Sequence, residues 1–302
     1  MTAVLGALLP LFALIAAGYG ARRIGWPGPA AWRAVERLTY YVLFPALLFQ
    51  SLSTTSLAGG GAVAIALALA TLVIAAAAVT IPTAMALDGA TLSSVLQGAI
   101  RPNTYVGVGA ALAVWGDTGV ALAAVGLAVV IPMVNVISVV GLLRYAPSSS
   151  AKRPSVVGSL ARNPLILSCL AGLAINGVGV SLPGWLSGPL KLIGQASLPL
   201  GLLAVGAALE LTALRARFPA IAAACALKLL VSPAVAALML AGFGVGGVSF
   251  AVAVVYMGVP TSASAYVLAA EMGGDRDVIA TIISATTVLS ALTLPLIVML
   301  VR

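Results

Sequence analysis

The sequence predicts an all-α integral membrane protein: ten transmembrane helices arranged as two inverted five-helix repeats, with broken helices 4 and 9 crossing at the midplane. Three observations predict it. Apolar residues make up 62% of the 302-residue chain and charged residues 7%, with mean hydropathy +1.18, more apolar side chain than a soluble core of this size can hide. The apolar stretches recur at the roughly 20-residue length that crosses a bilayer. The two halves of the chain also echo each other.

The first helix spans residues 3–21 and ends at Arg22 and Arg23. A cleavable signal peptide carries positive charge before its apolar stretch, so this segment reads as an uncleaved helix despite the small residues from Leu14 to Gly18. The second, 37–54, follows a loop holding Arg33 and Arg37, and the third, 60–81, closes ahead of Asp88. Gly116 and Asp117 divide the fourth, 92–114, from the fifth, 119–143. Residues 1–143 thus form the first repeat.

Residues 144–162, with Pro147, Ser148, Ser149, Ser150 and Pro154, read as a flexible linker. The second repeat, 163–302, holds helices at 163–180, 189–210, 219–241, 248–270 and 278–301. Basic residues gather in alternate loops: Arg22, Arg23, Arg33 and Arg37, then Arg144, Lys152, Arg153 and Arg162, then Arg215 and Arg217, then Arg276. The positive-inside bias places those loops in the cytoplasm and both termini outside, in a multi-pass protein of the inner cell membrane. It also explains the net charge of +8 without a nucleic-acid partner.

An offset of 158 lays Pro102 on Pro260, Gly116 on Gly274, Asp117 on Asp275 and Val120 on Val278. With five helices, an odd number, each repeat enters the membrane from the opposite side. That is the plan of secondary transporters whose interrupted helices meet near the midplane.

Proline removes a backbone donor and crowds the preceding turn, so Pro102 and Pro260 are expected to break the fourth and ninth helices. At about 1.5 Å per residue, both lie roughly 15–18 Å from a membrane face. Beyond each break, the N-terminus of a half-helix points free N–H groups and partial positive charge at the same place. The alternative, that each proline is a simple kink, fits one proline better than a matched pair.

Arg101 and Lys228 sit at that depth with no carboxylate at similar depth in the sequence. A charge at the bilayer centre costs at least about 2.5–3.5 kcal/mol, and handling an anion is the simplest use for it. Arg101 is the leading candidate, because a guanidinium holds a carboxylate through two parallel hydrogen bonds. Pro102, Asn103, Thr104, Pro260, Thr261, Ser262 and Ser264 complete the expected substrate site. The alternative for Arg101 is capping carbonyls freed by the break; for Lys228 it is snorkelling to the headgroups.

Lys228, Asn135, Gln97, Gln195, Thr286 and Thr287 are candidates for ion binding or coupling, with Ser284 and Ser290 as further polar lining. Sodium, which takes oxygen ligands, is the expected coupling ion if there is one. With no histidine and only Cys169 and Cys225, far apart in sequence, no metal site or disulfide framework is expected. No cofactor is expected either.

The run Arg101-Pro102-Asn103 with Gly107, Gly109 and Gly116 resembles the fourth-helix signature of bacterial members of the auxin efflux carrier family. Pro260 through Ala269 is similar to its ninth-helix signature, and likeness extends to Tyr41–Phe49, Asn163-Pro164-Leu165, Pro199–Glu210 and Lys228-Leu229 with Pro233. The family is part of a superfamily of carriers similar to bile acid sodium symporters. The resemblance implies a scaffold from helices 1, 2, 6 and 7 and a transport unit from helices 3–5 and 8–10 that shifts like an elevator. It implies a small organic anion as substrate, such as a mono- or dicarboxylate. Plant carriers place an asparagine at the ninth-helix break where this chain has Thr261 and Ser262, which argues against an aromatic substrate.

Sodium-coupled or facilitated symport or flux is expected over proton coupling, since Asp88, Asp117, Glu210, Glu271, Asp275 and Asp277 fall at helix ends or in loops. An anion channel is the alternative function. An intramembrane enzyme is the weaker one, because Asp117 and Asp275 lie beyond helix ends and no histidine is present. A homodimer is one assembly open to such a chain.

Overall fold

The computed structural model describes residues 2–54, 60–146, 161–210 and 217–302. Among these residues the protein is all helical, with no strand. The expected linker lies outside them from Pro147 to Leu160, as does Arg215.

Helix α1 is Thr2–Arg23, followed by α2 (Pro29–Leu38) and α3 (Phe44–Thr54), which a π turn over Thr39–Leu43 joins into one rod. Pro29 starts α2 earlier than the sequence suggested, because its fixed φ suits the first helical position. Next come α4 (Gly60–Ala84), α5 (Gly89–Ile100) and α6 (Thr104–Tyr145). The expected boundary between the fourth and fifth helices is Gly116, at φ 61° and ψ −149°, backbone that only glycine adopts at little cost.

The second half runs α7 (Pro164–Val178), α8 (Gly184–Ala207), α9 (Phe218–Ala226), α10 (Ser232–Gly242), α11 (Gly247–Met257), α12 (Ser264–Met272) and α13 (Arg276–Val301). A second π turn, Leu227–Val231, joins α9 to α10. Pro45 and Pro233 follow the two π turns closely. Each ring denies an N–H to the carbonyl four residues back and crowds it, so the turn ahead widens.

Five described stretches are long and apolar enough to cross a membrane: Val4–Arg23, Thr104–Tyr145, Gly184–Ala207, Phe218–Gly242 and Arg276–Val301. Many large apolar side chains on them face outward, Leu9, Leu292 and Leu300 among them. That outward face suits acyl chains, not water.

Close packing of α1 on α8 depends on missing side chains. A Cβ on Gly18 would overlap the Leu203 carbonyl, and one on Gly206 would overlap the Ile15 carbonyl. Small residues of this kind let transmembrane backbones touch. At the end of the same pair, Arg22 Nη1 donates to the Ala207 carbonyl at 3.0 Å, a cation on a helix C-terminus.

Asp88 caps α5. Its carboxylate accepts the Thr91 N–H at 2.9 Å and the Thr91 hydroxyl at 2.9 Å, and pairs with Arg217 at 3.0 Å. The Thr91 backbone bond above all, with the Thr91 hydroxyl and Arg217 adding to it, holds this carboxyl below the usual range for aspartate. A depressed carboxyl contributes stability above its unfolded value of about 3.9, and that stability is lost as pH falls through the folded value. Thermal midpoints measured down through that window should fall less steeply for Asp88→Asn than for the native protein; identical acid limbs would contradict the assignment.

Candidate functional site

Six prolines, Pro10, Pro82, Pro132, Pro189, Pro199 and Pro295, lie inside continuous helices, so proline alone does not make a break. At Pro102 the residue before the ring leaves helical space, and Arg101 adopts φ −88° and ψ 103°. Pro260 falls between the end of α11 and the start of α12.

The two breaks pass each other antiparallel, Pro102 opposite Thr261. The Asn103 N–H donates to the Pro260 carbonyl at 2.8 Å, and the Ser262 N–H donates to the Arg101 carbonyl at 3.0 Å. Each break therefore satisfies groups that the other leaves open, which is what a bilayer interior demands of unwound chain.

Side chains fasten the crossing. The Thr261 hydroxyl donates to the Gly98 carbonyl at 2.6 Å, and the Thr261 N–H donates to the Thr286 hydroxyl at 3.1 Å. Asn103 Oδ1 accepts the Val106 N–H at 3.2 Å and so caps α6. Thr261 and Thr286, expected as site or coupling residues, are thus engaged with backbone.

Arg101 is 7% exposed. Its Nη2 donates to the Ser264 hydroxyl at 3.1 Å, and Ser264 in turn pairs with the Ser262 hydroxyl at 3.0 Å. Nε and Nη1 are buried without a protein partner. No described aspartate or glutamate is buried, so the guanidinium has no carboxylate to neutralise it. Its side-chain bond goes to a hydroxyl, not to the freed carbonyls that a capping role would require. Ser264 is exposed and Thr104 half-exposed, giving this edge of the crossing an open side.

The other flagged residues are scattered. Lys228 is fully buried, which rules out snorkelling, and its Nζ donates to the Met257 carbonyl at 3.1 Å. Gln97, one turn before Arg101, is buried with both amide atoms unpartnered. Thr287, Ser284 and Ser290 donate to carbonyls of their own helix, and Ser284 also accepts the Glu210 N–H at 2.8 Å. Asn135 is half-buried in α6 with no hydrogen bond to the crossing.

Gln195 lies elsewhere. It lines a cavity of about 580 Å³ with Pro10, Leu47, Gln50, Asp117 and Lys191, and no crossing residue takes part. Tyr105 and Phe44, ring centroids 4.9 Å apart and edge to face, lie one turn from its lining residues Gly109 and Leu47. This cavity is mainly apolar. Its charged lining residues, Lys191 and Asp117, are exposed and opposite in sign, whereas the crossing holds a buried cation with unpaired donors, so the crossing is the candidate site.

A family model described as membrane transport protein matches residues 148–298, half the chain. A protein of Rhizobium meliloti (strain 1021) named "Putative malonate transporter" is 28% identical over 320 residues, covering 100% of this chain and 97% of the relative.

Proposed function

We propose that this chain, which belongs to the membrane transport protein family of the auxin efflux carriers and is a multi-pass secondary transporter, carries a small organic anion bound at Arg101. The observation that carries the proposal is the buried guanidinium beside two crossed helix breaks, with Nε and Nη1 unpaired. A carboxylate offers two acceptor oxygens in the plane such a fork requires. The Ser262 and Ser264 hydroxyls line the same edge, and the positive ends of α6 and α12 add to the attraction.

The transporter is read as ten spans in two inverted repeats, both termini outside, with a scaffold from the first two helices of each repeat. The remaining three helices of each repeat travel as one unit, carrying the anion between faces. Malonate, named for the relative, sets the first member of the substrate class to try: mono- and dicarboxylates of similar size.

Counterflow in proteoliposomes is the test. Vesicles loaded with unlabelled malonate, malate or pyruvate should accumulate the labelled acid transiently and with saturation. Single-channel currents without counterflow would replace a carrier by a pore.

A further inference from the structure

Among the described residues, Lys228 is the one buried cation that the anion site does not use. The π turn Leu227–Val231 carries it, and none of its side chain reaches the surface. Its Nζ donates to the carbonyl of Met257, the last residue of α11, just before the chain unwinds towards Pro260.

Two physical facts meet at that carbonyl. The C-terminal end of a helix carries partial negative charge and carbonyls with no intrahelical partner. In carriers built from interrupted helices, such carbonyl ends are where coupling cations are held. Here a covalently attached ammonium already sits within hydrogen-bond distance. The helices packed on the π turn from elsewhere in the chain, α4, α5 and α13, contain one carboxylate, Asp277 in the first turn of α13. Lys228 therefore has no buried acid as counter-charge, and the half-helix end is what balances it.

We propose that the Lys228 ammonium is a tethered cation doing at the end of α11 what a dissolved coupling cation would otherwise do, so that this chain transports its anion without sodium. The proposal rests on the carrier reading above. Lys228 acts through the carbonyl end of α11 and touches no substrate; it is a positioning residue. A free ion must arrive with each cycle, whereas the tethered amine stays with the chain, at the carbonyl that ends α11.

The test uses labelled malonate, malate and pyruvate in counterflow, with sodium, potassium or choline as the only bulk cation. Native protein should exchange at the same rate in all three. Lys228→Ala removes both charge and stem, and in choline its rate should fall by about tenfold, the loss of one charge-assisted bond. Adding sodium or methylammonium should then restore a substantial part of that rate, because the truncated side chain leaves room beside the Met257 carbonyl. Lys228→Met, which fills the space without charge, should lose activity and gain nothing from either cation.

Sodium stimulation of the native protein would overturn the proposal, with no variant needed. So would a Lys228→Ala protein that keeps full activity, or a folded one that stays inactive in every cation, since then the lysine serves packing alone. Absence of exchange by native protein in all media would instead sink the carrier reading, and the inference with it.

Discussion

Replacing Arg101 with glutamine should cut carboxylate counterflow by about 100-fold, the upper range for a hydrogen bond to a charged partner. The protein itself should remain folded. A buried guanidinium with one side-chain bond and no counter-ion is expensive to keep, so its removal costs the fold little and can even stabilise it. Loss of flux with an unchanged or raised thermal midpoint is therefore the expected signature. If the residue were there to hold the break together, the same substitution would lower the midpoint along with the flux. Arg101→Lys keeps the charge without the planar fork and should fall between the two, at about a tenfold loss. Unchanged affinity in Arg101→Gln would end the assignment.

Gly18→Ala should destabilise the protein by about 3 kcal/mol, at the high end for an overpacked interface. The added carbon would overlap backbone of α8 at Leu203, and backbone cannot move aside as a flexible side chain does. The two helices must separate along their contact, which also holds Gly206 against Ile15. Gly20 provides the control within the same helix. A Cβ there meets nothing within 4 Å, so Gly20→Ala should gain about 0.5–1 kcal/mol from the lower entropy of the unfolded chain. Thermal unfolding in detergent reads both, and equal midpoints for the two variants would contradict the packing account.

The class of the molecule was legible because composition and segment length are properties of the chain alone. The interruptions at Pro102 and Pro260 were legible through the 158-residue offset that pairs them, not through proline itself, since six other prolines sit inside helices. What those interruptions touch was not. Asn103 reaches the Pro260 carbonyl and Arg101 accepts from Ser262 across about half the sequence, and no local rule specifies such partners. The same limit explains Thr261 and Thr286: their hydroxyls looked available for substrate or ion, but folding commits the Thr261 hydroxyl to the Gly98 carbonyl and the Thr286 hydroxyl to the Thr261 N–H. Gln195 was a candidate because it is polar within an apolar segment, and it faces the apolar cavity instead.

The antiparallel exchange between the two breaks also constrains how the molecule is made. Until Pro260 has been synthesised, the Asn103 N–H and the Arg101 carbonyl lack the partners they have in the finished protein. A ribosome adding roughly 5–20 residues per second needs roughly 10–30 s to bridge that interval. During it the nascent first half must keep those groups hydrated or lodged against the insertion machinery, because hydrocarbon offers them nothing. Biogenesis of the carrier is therefore completed by its second half, whose arrival lets the first settle into lipid.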